Sequence, residues 1–324
     1  MSDVLSDHSQ WICPRTRVPL RLESDHLEGA GVRYPLFDGV PDFIGGQSSV
    51  GPKDVQTDYV IARRRYEGFA RRTHGPIVQR LEDDYLERGH RALQRELDVL
   101  DVGCGGSKFM PGSNGDPKAS LSLFMRHARS YTGIDPSWEM LNIARSSKSL
   151  VSRLRQPRLA RSVAEALPFA DASFDLVFVK STLDHCADSE LALSEFKRVL
   201  RPEGFLLITL QNFASWQRLA LSTLMPRRYA SHRKRDHHTS PFDPTLLRTR
   251  LAAAGFEITE LREMGYLHLS RYRLAWLENL IFGLPRLLSG DEGVVRCVEL
   301  TDGVLARLAP NRGAVMMCWA HRQP

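Results

Sequence analysis

The sequence predicts an α/β fold, a mostly parallel sheet with helices on both faces, preceded by a small β-rich module. Three observations predict it. The run from Leu97 to Val102, interrupted only by Asp98, reads as a buried strand that turns at once into Gly103-Cys104-Gly105-Gly106. A second short strand, Tyr131-Thr132-Gly133-Ile134-Asp135, is followed by a helical pattern, and two strand–helix units in succession make a parallel sheet. Phe174 to Val179 and Phe205 to Leu210 are unbroken apolar runs of the kind buried on both faces.

The chain has 324 residues, 42% hydrophobic and 25% charged, enough for one large domain with a smaller one beside it. Its net charge of +6 favours anionic partners without requiring nucleic acid. No apolar run approaches the roughly 18 residues that span a bilayer. Met1-Ser2-Asp3 does not open a signal peptide. Cys13, Cys104, Cys186, Cys297 and Cys318 are odd in number and scattered, which suits a reducing compartment, so a cytoplasmic location is expected.

In chain order, residues 1–48 form the small module. Trp11-Ile12-Cys13-Pro14, Pro19-Leu20-Arg21-Leu22 and Tyr34 to Pro41 are short runs split by Gly and Pro, the pattern of hairpins. The Cys-Pro start and the Tyr-Pro-Leu-x-Asp-Gly-Val-Pro ending resemble the zinc-ribbon-like activator module found beside some RNA and protein methyltransferases. Thr16 stands where a Cys-x-x-Cys pair needs its second cysteine. One thiolate cannot build a tetrahedral zinc site, so a metal-free version is expected. Gly45 to Pro52 is a flexible boundary, and residues 49–324 form the second domain. Helix formers dominate from Val55 to Leu97, split at Pro76, with Tyr59 and Tyr66 either covering a ligand or packing.

The glycine loop runs into a turn-rich insertion, Met110 to Pro117, and a helix is expected over Ala119–Ala128. Pro136 sits where a first helical position falls, with Met140, Leu141 and Ala144 as the apolar stripe. A short strand ends near Val163. A loop passes through Leu167-Pro168-Phe169, and the strand from Phe174 follows. A helix from Asp188 to Leu200 is capped by Asp188 and stopped by Arg201-Pro202-Glu203-Gly204.

Leu-Asp-Val-Gly-Cys-Gly, Gly-Ile-Asp-Pro-Ser, Ala-Glu-x-Leu-Pro-Phe, Ser-Phe-Asp-Leu-Val and Arg-Val-Leu-Arg-Pro-Glu-Gly, in that order over residues 97–210, resemble the class I S-adenosylmethionine (SAM)-dependent methyltransferases. A nicotinamide dehydrogenase fits less well, because Lys108 occupies the place of its third fingerprint glycine. The resemblance implies a Rossmann-like seven-stranded sheet and SAM as cofactor. It places Asp101 and the backbone of Gly103, Cys104 and Gly105 at the methionine end. Asp135 goes to the ribose hydroxyls, and Pro136, Ala164 and Glu165 to the adenine. Lys180 and Ser181, after the fourth strand, complete the cofactor-binding set, and Tyr66 covers the cofactor. Val163 replaces an aspartate frequent in the family, leaving adenine recognition to backbone and Glu165. Cys104 reads as a small loop residue rather than a nucleophile.

For the acceptor, candidate proton-handling residues are His185, after the fourth strand, and His237 and His238, in a polar turn before a helix from Asp243 to Gly255. His185 also suits a capping role. No third metal ligand accompanies the histidine pair, and no metal is expected. Insertions near 211–240 and 268–310 are expected to cap the acceptor. The first joins an apolar helical face, Ser215 to Tyr229, to a basic run ending at Arg235. That pattern fits an anionic acceptor with an apolar part, RNA phosphates or a membrane surface equally. Tyr272 to Leu288 reads as a helix broken at Gly283 and Pro285, either an acceptor cap or a homodimer face. Phe256–Leu261 and Ala314–Ala320 read as strands six and seven, the last antiparallel by analogy with the family. A small-molecule, lipid- or sugar-linked acceptor is the first reading. RNA is the second, with base-stacking aromatics sparse beside the charges, and a non-catalytic SAM-binding scaffold the third.

Overall fold

The computed structural model describes residues 11–44, 85, 96–105, 128–146, 157–233, 240–266 and 275–323. They form two sheets. The first is antiparallel, in the order β1 (Arg21–Leu22), β2 (His26–Gly29), β3 (Val32–Phe37), β4 (Val40–Pro41). Its two tight turns carry positive φ at both central residues, Ala30-Gly31 and Asp38-Gly39. That geometry matches the twist of the strands it joins.

The second sheet has seven strands: β5 (Leu97–Val102), β6 (Ala128–Asp135), β7 (Arg158–Arg161), β8 (Phe174–Lys180), β9 (Leu200–Gln211), β10 (Phe256–Met264) and β11 (Val315–Arg322). Their order is β10-β11-β9-β8-β5-β6-β7. The pairs from β9 through β7 are parallel, and β11 runs antiparallel to both of its neighbours. The α/β class, the seven strands and the antiparallel last strand are as expected.

Helices follow from their caps. α1 is Trp138–Ser146; α2, Ser189–Val199, opens where the Asp188 carboxylate accepts from Glu190 N and Leu191 N, both at 3.0 Å. Ala192, Leu193, Phe196 and Val199 face the core at helical spacing. α3 (Trp216–Leu224) and α4 (Pro226–Arg233) follow β9. α5, Pro244–Ala253, is capped by Asp243, with Pro244 in the first turn. α6 is Ala275–Leu308. No helix of the described residues is long and apolar enough to cross a membrane.

Five expectations need correction. Ala128 opens β6 instead of ending a helix, and the rest of that expected helix lies outside the described residues. Pro136 is not a first helical residue. The Asp135 carboxylate accepts from Ser137 N, which makes a turn and delays the helix to Trp138. β7 stops at Arg161 rather than near Val163. The Arg201–Gly204 tetrapeptide does end the helix, but it lies inside β9 as an irregular stretch with Glu203 at φ +61°. Between its pairings with Phe174 and Leu176 the strand advances from Leu200 to Phe205. α6 runs through Gly283 and Pro285 without a break. A proline removes one backbone bond, a cost a helix of 34 residues can carry, and Val294, Val295 and Val298 of the same helix join a core with Met264 and Met317. The expected cap or dimer face over Tyr272–Leu288 lies outside the described side chains.

The two sheets share a core. Trp11 stacks near Phe43 and Phe169, at 5.5 and 5.2 Å, and Phe169 meets Phe174 edge-on at 4.9 Å. Ile12 N donates to Pro168 O, and Phe43 N donates to Arg161 O, so the first sheet covers the β7 edge of the second. At the opposite end of the parallel strands, Arg201 ties Asp98 and Asp175 together, with Arg129 beside both.

α6 is fastened to the exit of β10 by Asp302, whose carboxylate accepts from Gly265 N at 2.7 Å and Tyr266 N at 3.0 Å. Burial pushes its pKa up to about 6, outweighing those two donors and the nearby Arg262. A raised carboxylate pKa means the folded state holds its proton more tightly. The stability this contributes is fully present below the ordinary carboxylate range and is lost as pH rises through about 6. Melting at pH 5 and pH 8 checks this. Unmodified protein is expected to lose roughly 1.4 kcal/mol more than Asp302→Asn across that interval, about one pKa unit of the shift.

Candidate functional site

The carboxyl ends of the parallel strands gather the residues that carry chemistry. β5 lies between β6 and β8, so its neighbours connect in opposite directions and leave a crevice beyond its end. Gly103 at φ +67° and Gly105 at φ +53° take the chain around that end in a conformation that side chains resist. Gly103 has a second reason to be glycine: a Cβ there would stand 2.2 Å from Thr182 Oγ1. Thr182, in the loop after β8, donates from that hydroxyl to Lys180 O.

At Gly105 the situation is reversed. Among the described residues a Cβ would come nearest to Gly103 O at 3.8 Å and Asp135 Oδ2 at 3.9 Å, ordinary contact distances. Asp135 Oδ2 accepts from Gly105 N and Oδ1 from Ser137 N, both at 2.9 Å. Cys104 N donates to Ile134 O, and its side chain is fully buried, packed with Gly133 and away from solvent.

Asp101 is fully buried in β5 and accepts from Tyr131 Oη at 2.9 Å. In register Val99 faces Tyr131 and Asp101 faces Gly133, so the two side chains are diagonal neighbours on one face. Burial and the adjoining Asp101 charge hold the Tyr131 hydroxyl well above its usual pKa. The tyrosine therefore remains a donor to this carboxylate. Alternation along two paired strands was the signal that could have found it.

Beyond β7, Ala164 is buried and Glu165 Oε1 accepts from Ala187 N at 2.7 Å and Asp188 N at 3.3 Å, binding this loop to the start of α2. Leu167 N donates to Glu195, whose carboxylate also receives Arg198 and Arg17. Burial pushes the Glu195 pKa up, but these donors more than offset it and hold it below the usual carboxylate range. Ser181 follows β8 at φ +50°, its N–H on Thr209 O. His185 is half-buried in a single 3-10 turn, Leu183–His185, just past Thr182. Pro136 directs its carbonyl to Arg161 Nε. Tyr66, His237 and His238 lie outside the described residues. Sequence reasoning missed Thr182, Tyr131 and Arg161.

Across the crevice, Asn212 is fully buried at the end of β9, donating to Asn311 O and Gly313 O and accepting from Ala214 N. Trp216 Nε1 donates to Tyr266 O, and Gln217 Nε2 to Gly265 O and Tyr266 O. Among the described residues no group of three His, Cys, Asp or Glu side chains is gathered as for a metal ion.

Residues 100–208 match the family model described as a methyltransferase domain. Among curated relatives, a malonyl-[acyl-carrier protein] O-methyltransferase of Methylovorus sp. (strain MP688) is 33% identical over 138 residues, which is 41% of this chain and 43% of the relative. A demethylmenaquinone methyltransferase of Staphylococcus aureus (strain MRSA252) is 32% identical over 115 residues, 36% of this chain and 43% of that protein. The chain thus spans less than half the length of either. A solved Galdieria sulphuraria structure assigned as a sarcosine dimethylglycine methyltransferase shares the fold, with a TM-score of 0.52 at 14% identity over 82% of this chain and 98% of that one. Over residues 100–208 the chain is thus similar to methyltransferase domains, and the solved structure shows a shared fold.

The contact between Gly103 and Thr182 gives a direct test. Gly103→Ala is expected to lower the melting temperature through a left-handed backbone cost of about 1–2 kcal/mol plus the clash. Adding Thr182→Ala, which removes the two nearest clashing atoms, is expected to restore part of that loss and not all of it.

Proposed function

We propose that this chain transfers the methyl group of SAM to a small-molecule acceptor. What supports the donor site is the Gly103–Gly105 turn at the strand-end crevice, where backbone lacking a Cβ is tied to the Asp135 carboxylate by Gly105 N at 2.9 Å. The residues fit the group: Gly103–Gly105 backbone toward the methionine end, Asp135 toward the ribose hydroxyls, and the Ala164 backbone toward the adenine edge. When bound, SAM supplies an electrophilic methyl group on a positively charged sulfur.

The protein's own work is positioning. The acceptor atom must lie in line with the methyl–sulfur bond, and the strand ends and loops around the crevice fix that approach. For an oxygen or nitrogen acceptor a proton must also leave, and His185 is the described residue assigned to take it. The relatives named for malonyl-[acyl-carrier protein] and demethylmenaquinone favour a small acceptor over RNA.

The N-terminal sheet is read as a ribbon-like module without metal. Cys13 Sγ accepts from Thr16 N at 3.4 Å and lies 3.2 Å from the Tyr34 hydroxyl, partners that satisfy a lone thiol. Metal analysis of purified protein is expected to find no stoichiometric zinc.

For the donor site, Asp135→Ala is expected to weaken SAM binding at least tenfold by calorimetry, with circular dichroism confirming a folded chain. Unchanged affinity refutes the assignment. Methyl-labelled SAM offered with small-molecule extract and, separately, with total RNA is expected to label the extract. Label confined to RNA would overturn the acceptor class.

A further inference from the structure

Arg161 ends β7 with its side chain buried, 7% exposed, and it is the direct cross-strand partner of Asp135. Its guanidinium is used in two directions. Nε donates to Pro136 O at 2.9 Å, and one terminal nitrogen donates to Asp42 Oδ2 at 2.9 Å. The guanidinium carbon lies 5.6 Å from the Trp138 ring. Asp42, 3% exposed at its side chain, belongs to the N-terminal sheet, and its other oxygen accepts from Ile44 N. Two more contacts reach the same segment from that sheet. Phe37 meets Trp138 edge-on at 5.2 Å, and Asp38 pairs with Arg145 at 2.9 Å.

All three receiving residues, Pro136, Trp138 and Arg145, lie on the stretch of chain that leaves Asp135. Pro136 has no N–H, so its carbonyl is the backbone handle by which this turn can be held. Surface electrostatics cannot account for the pair. A buried guanidinium and carboxylate lose their hydration, and that cost is reduced here because Arg161 Nε also has Pro136 O and the second Asp42 oxygen has Ile44 N.

We infer that Asp42 and Arg161 are positioning residues for the donor pocket, a buried relay through which the N-terminal sheet fixes the Pro136 carbonyl and the Asp135–Ser137 turn in the shape that binds SAM. The inference rests on the reading of Asp135 as the ribose-binding carboxylate. Neither residue touches the cofactor. The relay acts on affinity through backbone geometry.

The experiment is SAM binding by calorimetry, beside thermal melting, on the full chain. Arg161→Lys keeps a cation for Asp42, but one compact ammonium lacks the planar fork that serves Asp42 and Pro136 together. It is expected to melt within a few degrees of the unmodified chain and to bind SAM about tenfold more weakly, a difference of about 1.4 kcal/mol. Asp42→Asn is expected to weaken binding similarly. Leu27→Ala, in the buried interior of the same sheet and away from the relay, is the control for loosened packing. It is expected to lower the melting temperature and to bind SAM within twofold of normal. Normal affinity in Arg161→Lys and Asp42→Asn overturns the relay. So does a loss in Leu27→Ala, measured while folded, that equals theirs. If the unmodified chain fails to bind SAM, the donor-site reading itself falls, and the relay with it.

Discussion

The carboxylate of Asp135 stands where the sheet changes direction, and it holds the chain on both sides of itself. One oxygen receives the amide of Gly105 and the other the amide of Ser137. For Gly105 to aim its N–H back at β6 the loop must turn through positive φ, which is why two glycines are needed so close together. Cys104 adds a second tie by donating to Ile134 O, so the loop is stitched to β6 at two points. The same carboxylate, by capturing Ser137, sets where α1 begins. A crevice, a bare backbone and an acceptor group are thereby produced by one side chain.

That constraint extends outward through the edge of the sheet. β7 is an outer strand of the parallel run, and an unprotected edge would leave its backbone groups open to other chains. The N-terminal sheet covers it, with Phe43 N on Arg161 O and a buried Arg161–Asp42 pair. Removing one member of such a pair leaves an uncompensated buried charge and costs about 3–5 kcal/mol. The two sheets are thus coupled by more than apolar contact. Arg17 adds a further link, reaching Glu195 and Leu167 O in the loop that follows Ala164. Both ties from the N-terminal sheet end on loops that border the crevice.

What could be read from the sequence was what local chemistry decides. Strands buried on both faces announced themselves as apolar runs, and Asp188 and Asp243 marked helix starts because a capping carboxylate acts within a few residues of itself. The glycine loop and Asp135 were legible for the same reason. Features set by distant partners were not. Arg161 finds Asp42 across 119 residues, and nothing in either neighbourhood announces the pairing. Thr182 gives Gly103 a steric reason that only the apposition of two strand ends can supply. Pro136 was misplaced because a side-chain bond from Asp135 outranked the preference of proline for a first helical position. Pro285 was read as a break because proline forfeits a helical bond, a local cost that does not by itself decide the course of a 34-residue helix.

The two sides of the crevice are built on different principles. At the ends of β5 and β6 the determining groups are backbone amides and one carboxylate, and few residue types could replace them. Across the crevice the segments are clamped by side chains that grip backbone carbonyls and amides: Asn212 on residues 311 and 313, Trp216 and Gln217 on residues 265 and 266, and Asp302 on the same pair. Such clamps fix where the chain runs while leaving the identity of neighbouring side chains unconstrained. The outward surface of α3 and α4, with exposed Leu219, Leu224 and Met225 ahead of Arg227, can therefore change without disturbing either the clamps or the Asp135 turn. On the proposed function, donor chemistry and acceptor choice are mechanically separate, so the ordered motifs over residues 97–210 point to a methyl donor and are silent on the acceptor.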